Sequence, residues 1–256
     1  MARLAQQIGS AILWLLYAVL VIVWTPLLAV IFLFTAPFDP GRYTVGRWFR
    51  RAAVVAVWMN PAWRFRTSGV RIEDPRRPYI AVSNHESYAD IFLISHLPWE
   101  MKWMSKQEIF NIPFMGWMMR LAGDIPVRRG EARSRAGALR EVGDRLGKRV
   151  SVMIMPEGTR SKTADLLPFR DGAFRVAIET GTPILPLAVA GTRYCMAKGS
   201  FLFNRANAEV RVLEPIETSG MTLDDVPGLR DRVRDLIIRT RAELQQELGV
   251  AAEPVQ

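Results

Sequence analysis

Apolar and charged residues divide the chain into two unequal parts. No charged residue lies between Arg3 and Asp39, so the chain opens with an uncharged run of 35 residues. One membrane-spanning helix needs about 20 residues, which this run exceeds. We therefore predict a membrane anchor. The proline at position 26 leaves two forms open: a span that ends near Thr25 ahead of an interfacial segment, or a helix that enters the membrane and turns back.

A cleaved signal peptide is the alternative interpretation of this run. The apolar region of such a peptide is usually about 7–15 residues long, much shorter than the run seen here, so we expect the anchor to be retained. Four arginines follow the run, at Arg42, Arg47, Arg50 and Arg51, whereas Arg3 and the terminal amine precede it. The positive-inside rule therefore places the downstream domain on the cytoplasmic face of the inner (plasma) membrane.

Residues 45–58 alternate arginine with Trp, Phe, Ala and Val. This pattern predicts a second helix. Such a helix either lies in the membrane interface with its apolar face in the lipid or packs on a protein core, and the pattern favours neither.

Beyond residue 62 the pattern alternates short apolar runs with longer amphipathic segments. The predicted strands cover residues 79–83, 100–104, 124–127, 150–155, 184–190 and 208–213. The predicted helices cover residues 90–96, 112–121, 131–146, 174–179 and 222–248. Alternation of this kind predicts a single α/β domain with a largely parallel central sheet flanked by helices. We assign residues 1–62 to an N-terminal membrane-associated helical segment, 63–249 to the α/β domain and 250–256 to a loose tail.

Composition narrows the function. Half of the 256 residues are apolar, which is typical of a folded chain with a sizeable core. The net charge of +9 has two interpretations, ordinary solubility or attraction to anionic partners. Because Arg50-Arg51 and Arg128-Arg129 sit beside apolar, Trp-rich sequence, we favour membrane lipids over nucleic acid as the partner. A single cysteine, Cys195, excludes an intramolecular disulfide. With His85 and His96 as the two histidines, we expect no metal site.

Two short segments carry candidate chemistry. His85 follows the predicted strand 79–83, and Asp90 is five residues further on. On a regular helix five residues turn by about 140°, so the two side chains meet only if His85 lies in the turn and Asp90 in the first helical turn. The carboxylate would then bond one ring nitrogen and leave the other to take a proton. The alternative is a structural histidine at a helix start.

The second segment, residues 156–160, follows the predicted strand 150–155. Gly158 allows a close backbone approach, while Thr159 and Arg160 supply a hydroxyl and a bidentate guanidinium suited to phosphate. The alternative is a tight turn with a solvated arginine. Because parallel strands end at one edge of a sheet, we expect both segments to serve the same site.

Together, these two segments resemble motifs of the glycerolipid acyltransferase family, whose best-known members are 1-acyl-glycerol-3-phosphate acyltransferases. The first family motif, Asn-His with Asp five residues after the His, is matched by Asn84, His85 and Asp90. The segments 106–117, 156–161 and 183–187 resemble the second, third and fourth motifs in the family order. Residues 169–174 also resemble a family segment. Three positions depart from the family: Met155, where Phe is usual, Asp171, where a basic residue is frequent, and Arg128, where Asp is common before the arginine that we align to Arg129.

The resemblance implies an acyl transfer from a thioester to a hydroxyl, with His85 as general base and Asp90 as its orienter. The substrate-binding residues that it implies are Lys106, Arg129, Glu157, Gly158, Thr159 and Arg160. A candidate slot for the acyl chain, with plain core as the alternative, consists of Phe110, Phe114, Met115, Trp117 and Met118. No Gly-x-Ser-x-Gly elbow occurs, so we expect direct transfer without an acyl-enzyme or a cofactor.

The leading hypothesis is synthesis of phosphatidic acid from 1-acyl-glycerol-3-phosphate. The acyl donor, acyl-coenzyme A or acyl-carrier protein, is then a substrate, and the partners are membrane lipids and the lysophospholipid acceptor. The alternative acceptor is another lysolipid, such as a lyso-ornithine lipid or a lysophospholipid in remodelling. A catalytically silent lipid-binding protein and a nucleic-acid-binding protein are the hypotheses from other classes.

Overall fold

A computed structural model describes residues 2–128, 131–161, 165–196 and 199–250. The helices are α1 (Ala2–Thr35), α2 (Tyr43–Trp58), α3 (Ala89–Ile94), α4 (Met115–Ala122), α5 (Ala132–Gly147), α6 (Gly172–Thr180) and α7 (Val226–Glu247). The strands are β1 (Trp63–Gly69), β2 (Ile80–Ser83), β3 (Met101–Lys106), β4 (Ile125–Val127), β5 (Ser151–Ile154), β6 (Ile184–Ala190) and β7 (Ala206–Val212). Short 3₁₀ turns cover Gln107–Asn111, Thr192–Tyr194 and Leu223–Asp225.

The strands form one sheet in the order β1-β7-β6-β2-β5-β3-β4. From β6 to β4 all neighbouring strands are parallel, whereas β7 runs antiparallel to β6 and pairs in parallel with β1. The largely parallel sheet flanked by helices, in a single domain behind a long apolar helix, confirms the predicted fold class. The domain bounds at residues 62, 63 and 249 stay predictions, and residues 251–256 lie outside the described ranges.

Alternate residues of the central strands pack on opposite faces of the sheet, as the period of two requires. On one face Ile80 and Val152 join Phe174 and Val233 in a core closed by α5, α6 and α7. On the other face residues such as Met153 pack with Leu93, Trp103 and other side chains around α3. Helices therefore cover both faces, which explains why the central strands read as unbroken apolar runs.

The N-terminal helix differs from both forms that the sequence left open. Helix α1 continues through Pro26 without a break, although proline removes one backbone hydrogen bond from a helix interior. Its segment Arg3–Thr35 is long and apolar enough to cross a membrane. Its first third, however, is bonded to the loop after β6: Trp14 Nε1 donates to the carbonyl of Phe201 at 2.8 Å, and Ser10 Oγ accepts from the Phe203 backbone at 3.0 Å.

Helix α2 packs one of its faces on the domain, as the core-packing interpretation of residues 45–58 expects. Val45 and Ala56 are buried on that face, and Trp58 is 85% exposed at its end. Gly46 comes so close to the buried Glu100 that a Cβ would lie 2.0 Å from its Oε1 atom. The two N-terminal helices are thus fixed to the sheet, not hinged away from it.

Candidate active site

The carboxyl ends of β2 and β5 lie side by side, because these strands pair in parallel with Val82 opposite Ile154. His85 follows β2, and Gly158 and Arg160 follow β5, so all three reach the same edge of the sheet. All three line one cavity of about 360 Å³. Open α/β sheets bind ligands at this edge.

Asp90 is the hydrogen-bond partner of the histidine ring. Its Oδ2 atom lies 2.7 Å from His85 Nδ1 and also accepts from the backbone N–H groups of Glu86 at 2.8 Å and Ser87 at 3.0 Å. Asp90 is the second residue of α3, so the intervening turn folds back over its carboxylate. With Nδ1 donating to Asp90, Nε2 is the nitrogen that remains to accept a proton.

Asn84 fixes the turn that carries the histidine. Its Nδ2 atom donates to the carbonyl of Val189 at 2.9 Å, and its Oδ1 atom accepts from the N–H of Val189 at 2.8 Å. The side-chain amide thereby continues the pairing of β2 with β6 beyond the end of the strand. A residue without both a donor and an acceptor would leave buried backbone groups of β6 unpaired.

Glu157 connects the two candidate segments. Its Oε1 atom accepts from the backbone N–H of His85 at 2.7 Å, and its Oε2 atom accepts from the N–H of Leu167 at 2.9 Å. The side chain is buried and does not form part of the cavity wall. Burial raises the pKa of Glu157, against the opposing effect of the two N–H donors. Its predicted contact with substrate stays a prediction, and the contacts observed are positioning ones.

The cavity is basic at its rim. Lys106, Arg135, Arg160 and Arg170 line it, together with Gly158 and Thr159. No aspartate or glutamate of the described residues forms part of this wall. The guanidinium of Arg160 lies over the Tyr88 ring, 3.8 Å from its centroid, and Lys106 Nζ lies 3.1 Å from Glu108 Oε1. A rim of this charge suits a phosphate group.

At Gly158 the backbone comes close to an arginine side chain of this rim. It has a φ of 70°, and a Cβ at this position would lie 2.9 Å from the Arg170 guanidinium carbon. The predicted need for glycine here therefore has two causes, the left-handed backbone and the arginine packed beside it.

The cavity continues inward between the sheet and helices α5 and α6. Its apolar wall includes Trp103, Met104, Val127, Leu139 and Ile154. None of the five residues predicted to form an acyl slot belongs to this wall. Helix α4 carries three of them and packs against α1 and α2, where Met118 is fully buried beside Leu28 and Val45. The other four are Phe110, which is buried, Phe114 and Trp117, whose rings pack together, and the partly buried Met115.

Three further outcomes concern basic residues. Arg129 lies outside the described residues, so its predicted phosphate contact stays a prediction. Arg135 and Arg170 were not predicted, although both line the cavity. Arg170 lies beside Asp171 in a segment that resembles the family, which was a usable signal. Arg135 is one of several arginines of α5, and nothing in its local sequence distinguishes it.

Comparison with known proteins identifies the relatives of this arrangement. An acyltransferase family model matches residues 64–190, which include both candidate segments. The chain belongs to the acyltransferase family. It is 39% identical over 140 residues to 1-acyl-sn-glycerol-3-phosphate acyltransferase BAT2, chloroplastic, of Brassica napus, which covers 54% of this chain and 41% of that protein. It is 33% identical over 188 residues to 1-acyl-sn-glycerol-3-phosphate acyltransferase alpha of Homo sapiens, which covers 70% of this chain and 66% of that protein.

The acyltransferase family likeness extends to the fold. The crystal structure of the 1-acyl-sn-glycerophosphate (LPA) acyltransferase PlsC from Thermotoga maritima superposes with a TM-score of 0.73 at 24% identity, over 94% of this chain and 98% of that one. The chain spans about half the length of the curated relatives that it matches: 41% of the Brassica napus protein and 66% of the Homo sapiens protein.

Proposed function

We propose that this chain transfers an acyl group from a thioester to the free hydroxyl of 1-acyl-glycerol-3-phosphate, forming phosphatidic acid. The observation that carries the proposal is the His85–Asp90 pair, 2.7 Å apart, at the wall of a cavity whose rim holds Arg160. The relatives from Brassica napus and Homo sapiens, both named as 1-acyl-sn-glycerol-3-phosphate acyltransferases, support this acceptor.

The general base in this proposal is His85. Its Nε2 atom takes the proton of the acceptor hydroxyl while the oxygen attacks the thioester carbonyl carbon, and Asp90 stabilises the imidazolium that forms. The tetrahedral intermediate then expels the thiolate, which takes the proton back from the imidazolium. The ester and the free thiol are the products, and His85 is again neutral.

The cavity offers separate surfaces for the two ends of the substrates. Arg160, Thr159 and the backbone at Gly158 bind the acceptor phosphate in this proposal, joined by Lys106 and Arg170 on the same rim. The inner apolar wall around Met104 takes an acyl chain. The donor is acyl-coenzyme A or acyl-carrier protein, and the basic rim suits the phosphates of either.

Direct transfer is preferred to an acyl-enzyme. The single cysteine, Cys195, is fully buried and is absent from the cavity wall. Burial raises the pKa of its thiol well above the usual range, which disfavours the nucleophilic thiolate.

Acceptor and donor identity can be measured with the purified full chain in detergent. Lysophosphatidate, a lyso-ornithine lipid and a lysophospholipid are each supplied with acyl-coenzyme A and with acyl-carrier protein. We expect lysophosphatidate to be acylated and His85→Ala to lower kcat by at least about 10²-fold, the low end for a positioned base. The matched control is His96→Ala, because the other histidine bonds the carbonyl of Phe92 away from the cavity. Acylation of another lysolipid in place of lysophosphatidate, or full activity of His85→Ala, contradicts the proposal.

We also propose that the domain faces the cytoplasm at the inner (plasma) membrane, as the arginines after α1 indicate. The buried Cys195 is the single native thiol, so a cysteine introduced at the exposed Arg232 of α7 is a selective reporter. We expect Arg232→Cys to react with a membrane-impermeant maleimide only after cells are opened. Labelling in intact cells refutes this orientation.

A further inference from the structure

The carboxylate of Asp90 has a second oxygen that its bond to His85 does not use. While Oδ2 accepts from the imidazole and from two backbone N–H groups, Oδ1 accepts from Oγ1 of Thr192 at 2.5 Å. Both Asp90 and Thr192 have no exposed surface. A buried hydroxyl is therefore bonded to the carboxylate on the side opposite the ring.

The main chain fixes the position of Thr192. This residue begins the 3₁₀ turn that follows β6, and Gly191 before it has a φ of 89°. A Cβ at Gly191 would lie 2.1 Å from the carbonyl oxygen of Asn207 in β7. Only glycine fits this close approach, which holds the start of the turn that carries Thr192 against β7.

Glu86 is a second candidate acceptor for the same hydroxyl proton. Its Oε2 atom lies 3.4 Å from Thr192 Oγ1. A threonine hydroxyl carries one proton and cannot donate to both carboxylates. The Oε1 atom of Glu86 accepts instead from Arg241 Nε at 2.5 Å. Arg241 thus supplies Glu86 with a charged donor, which leaves the proton of Thr192 for Asp90.

Arg241 comes from helix α7, 155 positions along the chain from Glu86. The side chain of Arg241 is 10% exposed and that of Glu86 is 5% exposed, so the ion pair is almost completely shielded from solvent. Burial raises the pKa of Glu86, and Arg241 opposes this shift. Arg193 is a second cation that opposes this shift, with a smaller effect than Arg241. Loss of the Arg241 guanidinium therefore removes the main support of the charged carboxylate and leaves Glu86 free to compete with Asp90 for the Thr192 proton.

We propose that Thr192 is a positioning residue that holds Asp90 against Nδ1 of His85, and that the Arg241–Glu86 pair keeps its hydroxyl directed at Asp90. This rests on the proposed role of His85 as general base. Helix α7 thereby sets the geometry of the catalytic pair, although it lies beyond residues 64–190 that the family model matches.

The first test compares Thr192→Val, which removes the hydroxyl at nearly constant shape, with Thr192→Ser, which keeps it. With acyl-coenzyme A and lysophosphatidate, we expect Thr192→Val to lower kcat by about 10- to 100-fold, the equivalent of one hydrogen bond to a charged group. KM for the acceptor stays within about twofold in this expectation, because Thr192 lies outside the cavity wall. Thr192→Ser restores most of the rate.

A pH profile separates positioning from simple loss of fold. Loss of the hydroxyl leaves more negative charge on Asp90, which stabilises protonated His85, so we expect the acidic limb of kcat/KM to move to higher pH in Thr192→Val. Among the described residues, the charged and titratable groups facing this region are Glu86, Asp90, Glu157, Cys195, Arg193 and Arg241. The substitution leaves all of them in place.

The second test concerns α7. Arg241→Met should lower kcat in the wild-type background but add little in the Thr192→Val background, because both substitutions act through the same hydroxyl. Arg241→Lys should retain more activity than Arg241→Met. Fully additive losses contradict the coupling and overturn the role of the pair.

Failure of this proposal is distinct from failure of the proposed function. If His85→Ala keeps full activity, the function fails whatever Thr192 does. If His85→Ala is inactive while Thr192→Val has the wild-type kcat and an unmoved acidic limb, the positioning role alone is overturned. Equal losses in Thr192→Val and Thr192→Ser that follow their loss of thermal stability also overturn it.

Discussion

The backbone N–H of His85 donates to Oε1 of Glu157 at 2.7 Å. This bond joins the turn after β2 to the turn after β5, so the histidine and the segment that carries Arg160 are held in a fixed relation. Because Oε2 of Glu157 is occupied by Leu167, the side chain also fixes the loop that leads away from the rim. Glu157 therefore contributes to the site by holding the backbone of His85 and Leu167 in place.

Replacement of Glu157 by glutamine tests this connection. An amide keeps one acceptor but presents an N–H₂ group to the other backbone donor, so one of the two bonds is lost. We expect kcat to fall by about 10- to 100-fold, as small misplacements of a catalytic group do, with little change in the KM for lysophosphatidate. The control is Glu179→Gln, because that glutamate lies exposed on α6 and pairs with Arg175. Equal activity of the two variants would show that the connection does not matter.

The same carboxylate predicts a pH dependence of stability. Burial raises the pKa of Glu157 above its ordinary value of 4.5, so the folded chain binds this proton more tightly than the unfolded chain. The stability from this proton is fully present below pH 4.5 and is lost as the pH rises through the raised pKa. In Glu157→Gln the side chain does not titrate.

We therefore expect the free energy of unfolding of the wild type, minus that of Glu157→Gln, to fall as the pH rises above 4.5. Denaturant titration in detergent at a series of pH values measures this difference, and the other buried carboxyls cancel from it. A difference that grows with pH would mean that the two N–H donors outweigh burial and that the pKa is lowered.

Arg160 and Tyr88 allow the phosphate contact to be tested separately from its support. We expect Arg160→Ala to raise the KM for lysophosphatidate by about 10- to 100-fold, since it removes a charge-assisted contact. Tyr88→Leu removes only the ring beneath the guanidinium and should cost about two- to fivefold. Arg175→Ala, an exposed arginine of α6 that does not line the cavity, is the control. A kcat loss with unchanged KM in Arg160→Ala would assign the residue to the transition state instead of the bound acceptor.

The sequence predicted the elements whose patterns are local. Strand β6 was predicted at its observed bounds, Ile184–Ala190, because these residues form an apolar run. The run is apolar throughout because every residue of the strand is buried. Strand β1 was not predicted, because Arg64 and Arg66 interrupt its apolar residues and its pairing with β7 depends on residues far along the chain.

The site divides in the same way. His85 and Asp90 could be predicted to meet because both lie in one turn, and the strand ends could be predicted to converge because the sheet is parallel. The bonds from Asp90 to Thr192 and from Glu86 to Arg241 connect residues 102 and 155 positions apart. No local pattern marks such contacts, since the path of the loop after β6 and the docking of α7 decide them.

Arg50 tests how the N-terminal helices are held. From α2 it bonds Asp124, whose Oδ1 also accepts from the Trp103 N–H, and it lies 3.8 Å from Glu100. Glu100 pairs with Lys102 at 3.0 Å, and both have no exposed surface. The cluster lies at the start of β3, the strand that ends at Lys106 on the cavity rim.

Arg50→Leu leaves two carboxylates facing a single buried lysine. Burial raises the pKa of Glu100, so loss of a cation makes its charged form still less favourable. We expect the free energy of unfolding to fall by about 3–5 kcal/mol, the usual effect of removing one partner of a buried ion pair. Arg51→Leu is the matched control, because the neighbouring arginine is exposed and stacks over the Trp48 ring at 4.5 Å, and it should cost about 1 kcal/mol or less. Denaturant unfolding of both variants in detergent decides the matter: equal small losses would mean that apolar packing of α1 and α2, and not this cluster, fixes the N-terminal helices to the sheet.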